Sequence, residues 1–288
     1  MTPDQFEYPD FDDNLRQSMI RETELFFDDM VRGNHPVNDL LTADYTFMND
    51  RLAEHYGVRG VYGAQFRRVT LHDANRFGLL GHASLMTVNS YANRTSPVLR
   101  GKFVLTSLLG TPPAPPLPDV PPFMEDTGNG KPRSVRERLE SHTKSATCAA
   151  CHLVMDPFGF ALENYDGIGR WRATENAQPV QSATSLVDGT RVSSPAQLHQ
   201  WLTRQPDQFA RAVTEKLMEY ALGRPPGPAE MPAVRAIVRS AGADHYRLSS
   251  LLYGIVSSRP FLVKSDATPM ARKATVAANA AQPRGATP

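Results

Sequence analysis

Cys148-Ala149-Ala150-Cys151-His152 is the stretch of this chain whose residue types and spacing carry the clearest chemistry. It reads Cys-x-x-Cys-His, the attachment sequence of a c-type haem. Thiols three positions apart sit about one helical turn from each other and can close thioethers onto both vinyl groups of one porphyrin. The adjacent imidazole then serves as the proximal iron ligand. The chain has two cysteines in all, and both stand here. Three other readings use the same atoms. The thiolates could bind zinc or another metal, although no second Cys-x-x-Cys or His-x-x-x-His half accompanies them. They could be small buried apolar side chains beside a surface histidine. They could also pair as a disulfide.

An electron-carrying haem usually has a second axial ligand, His or Met. His142 is the first candidate, because Val135, Leu139 and His142 share one helical face leading into the motif. Met218 is the second, on a helix that also reads as simple core. Met155 would have to reach around the porphyrin plane, and Met124 precedes the motif in a loop. A five-coordinate iron would favour ligand binding or peroxide chemistry over electron transfer. Asp156 to Phe160 can offer aromatic rings to the porphyrin, and Arg170-Trp171-Arg172 can offer donors to its propionates. The acidic pairs Glu22 with Glu24 and Asp28 with Asp29 read as a solvated helix face.

The elements that must position these groups are mainly α-helical. Phe11 to Gly33 is amphipathic and stops at Gly33-Asn34. A second helix is expected over Asp44 to His55, a short strand over Phe66 to Leu71, and helices over Leu79 to Val88 and Ser96 to Leu109, the last with Pro97 in its first turn. Residues 111–122 hold seven prolines and predict an extended connector. Ser134 to Lys144 is a helix with Ser134 and Glu137 spaced as a capping box. One or two further turns follow the motif over Phe158 to Asn164, and a hairpin is expected around Asp188-Gly189. Four helices should follow, near 194–204, 206–222, 228–241 and 247–258. Residues 265–288, without aromatics, read as a disordered tail. The resulting map has a helical N-terminal module at 1–110, a proline-rich connector at 111–132, a cytochrome-c-like haem module at 133–192, a terminal helical module at 193–264 and the tail.

Composition sets few limits. A chain of 288 residues with 41% hydrophobic and 21% charged residues is ordinary for a globular protein. A net charge of +1 implies no field for nucleic acid or an anionic membrane. No apolar run is long enough for a transmembrane helix. No nucleotide-binding glycine loop or nucleophile elbow is present. Met1 to Asp13 is acidic and aromatic, unlike a signal peptide. Haem attachment normally takes place outside the cytoplasm, so the expectation is that this chain is the C-terminal part of a longer exported protein.

Several longer strings resemble a known family. Thr95 to Lys102, Leu108 to Pro113 and Pro118 to Pro122 resemble a module of large cytochrome-c-like proteins of environmental bacteria. The match continues through His142, the haem motif, Met155 to Asp166 and Gly169 to Arg172. Glu215 to Leu217, Tyr220 to Arg224, Tyr246 to Leu251 and Ser258 to Phe261 resemble the terminal module of those proteins. Asp44 to Asn49 with His55 to Gly57 resembles the preceding one. These modules are domains of unknown function, of the DUF1592, DUF1588 and DUF1585 types. The resemblance implies a periplasmic or cell-envelope protein with one covalent haem c, held by Cys148, Cys151 and His152. The resemblance supplies no reaction; the motif itself gives the expectation of electron transfer, to a redox partner that is either a separate protein or an upstream part of a longer chain. The alternatives are a haem-dependent oxidoreductase subunit and a non-haem interaction module.

Overall fold

The structure, a computed structural model, describes residues 2–115 and 134–263. It is mainly α-helical, with three short antiparallel strand pairs. Helix α1 (Asp13–Arg32) is capped by the Asp12 side chain, which accepts from the Leu15 amide, and ends at Gly33. A short helix α2 (Asp39–Thr42) follows.

The next segment departs from the sequence reading. A single helix was expected over Asp44 to His55, and the chain instead makes strand β1 (Tyr45–Met48) and helix α3 (Asp50–Tyr56). The break falls at Asn49, whose extended backbone and side-chain bond to the Leu52 amide make it an N-cap. β1 pairs antiparallel with β2 (Arg67–Thr70), Tyr45 opposite Thr70. Over so few residues, apolar spacing does not separate strand from helix.

The segment expected as one helix over Leu79 to Val88 is also split. A 3-10 turn at Leu79–Gly81 is separated from helix α4 (Ala83–Val88) by His82, which takes extended backbone. Helix α5 (Pro97–Phe103) starts at an N-cap, Ser96, with Pro97 in the first turn, and continues as a π-helical stretch at Val104–Leu108.

Helix α6 (Val135–His142) opens with the full capping box between Ser134 and Glu137. Helix α7 (Ala146–Phe160) carries the motif and runs unbroken through Pro157. The expectation of a separate short helix after the motif is thus corrected. Pro157 has no N–H to donate to the Leu153 carbonyl, and Leu153 lies on the exposed half of the helix. Two small strand pairs come next: β3 (Thr174–Glu175) with β4 (Gln178–Pro179), and β5 (Thr184–Ser185) with β6 (Arg191–Val192). The second is the expected hairpin, with Gly189 at φ +81° in its turn. The chain then builds helices α8 (Pro195–Leu202), α9 (Pro206–Leu222), α10 (Met231–Gly242), α11 (Leu248–Val256) and α12 (Arg259–Leu262).

The main apolar core gathers Phe26, Leu41, Leu80, Leu105, Phe158, Leu162, Leu198 and Phe209, so residues distant in sequence share one interior. A second cluster joins α1, α3 and Ile168, and a third lies among α9, α10 and α11. The tightest helix crossing is α5 on α7. A Cβ at Gly159 would meet the Pro97 carbonyl oxygen at 1.9 Å, and one at Gly101 would meet the Met155 carbonyl oxygen at 2.0 Å. The backbones touch because both positions lack a side chain. Beside this crossing, the guanidinium of Arg100, 1% exposed, donates to the carbonyls of Leu162, Tyr165 and Asp166 at 2.7–2.8 Å. That bond set fixes the loop leaving α7. The expected tail and most of the proline connector lie outside the described residues.

Candidate functional site

Helix α7 divides into two halves. Every residue from Met155 to Glu163 is buried, whereas none from Thr147 to Val154 is. The motif occupies the uncovered half. Cys148 and Cys151 are half-buried free thiols one helical turn apart. Leu153 and Val154 next to them are 66% and 38% exposed, leaving apolar surface beside the motif uncovered.

His152 is held by a residue the sequence reading assigned no role toward it. Its Nδ1 lies 2.9 and 3.0 Å from the two carboxylate oxygens of Asp156, one turn further along α7. With a carboxylate as acceptor, Nδ1–H donates and Nε2 is the nitrogen left for a metal. The hydrogen bond to Asp156 raises the imidazole above the usual histidine range, against the opposing effect of burial. The i,i+4 spacing of His152 and Asp156 is present in the sequence. It was missed because Pro157 suggested that no helix continued there.

The structure brings His142 to the motif and leaves Met218 away from it. The rings of His142 and His152 are 5.2 Å apart, edge to face. Two imidazoles ligating one iron from opposite sides need roughly 6 Å between centroids, at about 2 Å from each nitrogen to the metal. His142 therefore packs against the His152 ring in this arrangement. Only Thr143 to Ser145 separate α6 from α7, so a small rotation of α6 changes this distance. Met218 is fully buried on α9 among Ala210, Val234 and Leu251. Met155 faces the core. Met124 lies outside the described residues.

The other groups considered for a porphyrin are engaged elsewhere. Phe158 packs on Trp201, and Phe160 joins Val135 and Leu139 beneath the Arg136 guanidinium. Arg170 pairs with Asp10 at 2.8 Å, and Arg172 pairs with Glu163 at 3.0 Å and Glu175 at 3.5 Å. Among the described residues, no group of three His, Cys, Asp or Glu side chains is gathered to hold a metal ion. Two concavities lie elsewhere. One of about 730 Å³ is lined by Arg211, Arg235, Arg239 and Tyr246, and one of about 330 Å³ by Arg136, Glu163, Glu175 and Gln178.

The donor set matches a thioether-linked haem on chemical grounds: two free thiols a turn apart, an adjacent imidazole oriented by a carboxylate, and uncovered aliphatic surface beside them. The chain is a mainly helical protein presenting this set on a half-exposed helix. Three family models match it in order, each described as a protein of unknown function: DUF1592 over residues 1–58, DUF1588 over 76–175 and DUF1585 over 188–261. The chain thus carries matches to these three domain types in order, and the motif falls inside the DUF1588 match. No curated protein and no solved structure matches it. None of its helices among the described residues is long and apolar enough to cross a membrane.

Proposed function

We propose that this chain carries one covalent haem c, attached through Cys148 and Cys151 with His152 as proximal ligand, and that it serves in electron transfer outside the cytoplasm. One observation carries the reading. Both thiols and the imidazole lie on the uncovered half of α7, and His152 is already oriented by Asp156. The short name of the family model over this region, PSCyt3, points the same way. When bound, the haem would supply one-electron chemistry. The chain's own part is to tether it, orient the ligand and cover its edge. The electron would pass to a redox partner, a separate protein or another part of a longer chain.

The test is production with haem-maturation machinery. The expected product keeps its colour through acid-acetone extraction and gives a c-type pyridine haemochrome. Colourless protein, or colour lost on extraction, overturns the reading and leaves a zinc or disulfide module.

A second reading is a haem-dependent oxidoreductase subunit. It is favoured by the fact that Met218 is buried elsewhere and His142 touches the proximal ring instead of standing across from it. With neither of these side chains across from His152 among the described residues, a bound haem would be open to an outside ligand. A high-spin spectrum supports this reading. A low-spin spectrum that turns high-spin in H142A supports electron transfer with His142 as distal ligand.

A further inference from the structure

The acids around α7 are not alike. Glu163 is buried but surrounded by donors: Thr95 at 2.8 Å, Arg172 at 3.0 Å and Arg100 at 3.3 Å. Asp166 accepts from the amides of Ile168 and Arg170 at 2.9 and 2.8 Å. These charges are spent on the fold. Asp156 is different. Its side chain is 5% exposed, and among the described residues its only hydrogen-bond donor is His152, which meets both carboxylate oxygens.

A carboxylate this buried, with one donor among the described residues, directs its charge at that donor with little screening by solvent. The donor here is the residue next to both thiols. The position is also rigid. Asp156 follows Met155, whose carbonyl oxygen is pressed against Gly101, and precedes Gly159, which is pressed against Pro97. α7 is therefore clamped to α5 on either side of the carboxylate.

We infer that Asp156 is a positioning residue that increases electron donation from His152 and so lowers the reduction potential of a haem held there. This inference rests on the haem reading above. A carboxylate accepting from the far nitrogen of a ligating imidazole makes the near nitrogen a stronger donor, which favours the oxidised metal. The proton stays on Nδ1 in both oxidation states. Reduction adds one electron, delivered by a reduced partner protein.

The experiment is a spectroelectrochemical titration of the matured wild type, D156N and D156E, with pyridine haemochrome and circular dichroism on each. D156N should keep its haem and helix content and show a midpoint potential shifted upward, with D156E between it and the wild type. Haem that attaches in all three with a D156N potential equal to or below wild type overturns this inference alone. Protein that attaches no haem overturns the haem reading and this inference together. A further measurement does not depend on any variant folding. Nitrogen-15 NMR of the unmodified wild type, at a pH where the ring is neutral, should show His152 protonated at Nδ1 and bare at Nε2. The opposite tautomer overturns the inference.

Discussion

Three histidines outside the motif lie in the interior. Burial pushes His55 and His82 down to about 3 and His199 down to about 4. Glu22, expected on a solvated helix face, is instead fully buried; it accepts from Thr46 and Tyr56 and is pushed the other way, to about 7, again by burial. The signs follow from proton binding. Between pH 4.5 and 6.5 the unfolded chain protonates all three histidines and the folded chain does not, so their contribution is present above pH 6.5 and lost as pH falls. Glu22 binds its proton in the folded state over the same window, so its contribution falls as pH rises. The net difference of two protons makes stability rise with pH by roughly 3 kcal/mol per unit at most. Thermal melts from pH 4.5 to 6.5 should show this rise, and H82N should reduce the slope by about 1.4 kcal/mol per unit. An equal slope in H82N counts against a neutral buried His82. None of this was legible from the sequence, where a histidine on an apolar face and one on a polar face look alike. Asp156 was hidden differently. Its spacing from His152 was visible, but its meaning depended on α7 passing through Pro157.

At the scale of elements, the crossing of α5 on α7 ties the motif helix to the rest of the molecule. G159A would place a methyl against the Pro97 carbonyl and force the helices apart, and the backbone on that side cannot rotate out of the way. The expected loss is about 3 kcal/mol in urea unfolding, at the upper end for overpacking. A loss below about 0.5 kcal/mol would show that the crossing adapts. The strings that prompted the family resemblance are the ones that meet here: Thr95, Ser96, Pro97, Arg100 and Gly101 from one, Gly159, Glu163 and Asp166 from the other. Their contact itself was not readable, since pairing between distant segments leaves no local signature. Local chemistry was readable. The capping box at Ser134 and Glu137, Pro97 in the first turn of α5 and the glycine ends of α1 and α9 all lie where side-chain chemistry put them. The failure at Asp44 to His55 comes from apolar residues whose short spacing fits both periods, and the helix expected over Leu79 to Val88 breaks at the extended backbone of His82.

Across the whole molecule, the mainly helical class and the terminal run of helices followed from amphipathic spacing sustained over many turns. The way the core joins residues from Phe26 to Phe209 did not, because sequence reading proceeds segment by segment. That core has one further property. Among the described residues, none between Leu139 and Met155 belongs to any of the apolar clusters. Replacing Cys148 and Cys151 with Ala should therefore leave a single cooperative unfolding transition, with a midpoint within a few degrees of the unmodified parent. A broad, non-cooperative melt would show that the motif half of α7 contributes to the core after all. The consequence concerns the order of assembly in the cell. On the haem reading, the interior can close before the thiols are modified, so the attachment machinery would meet a folded core offering one accessible helix. A copy that missed this step would still have a closed core, with Leu153 and Val154 as the apolar surface left uncovered beside the motif. Cells short of cofactor would then accumulate an inert form competing with the working one for the same partners.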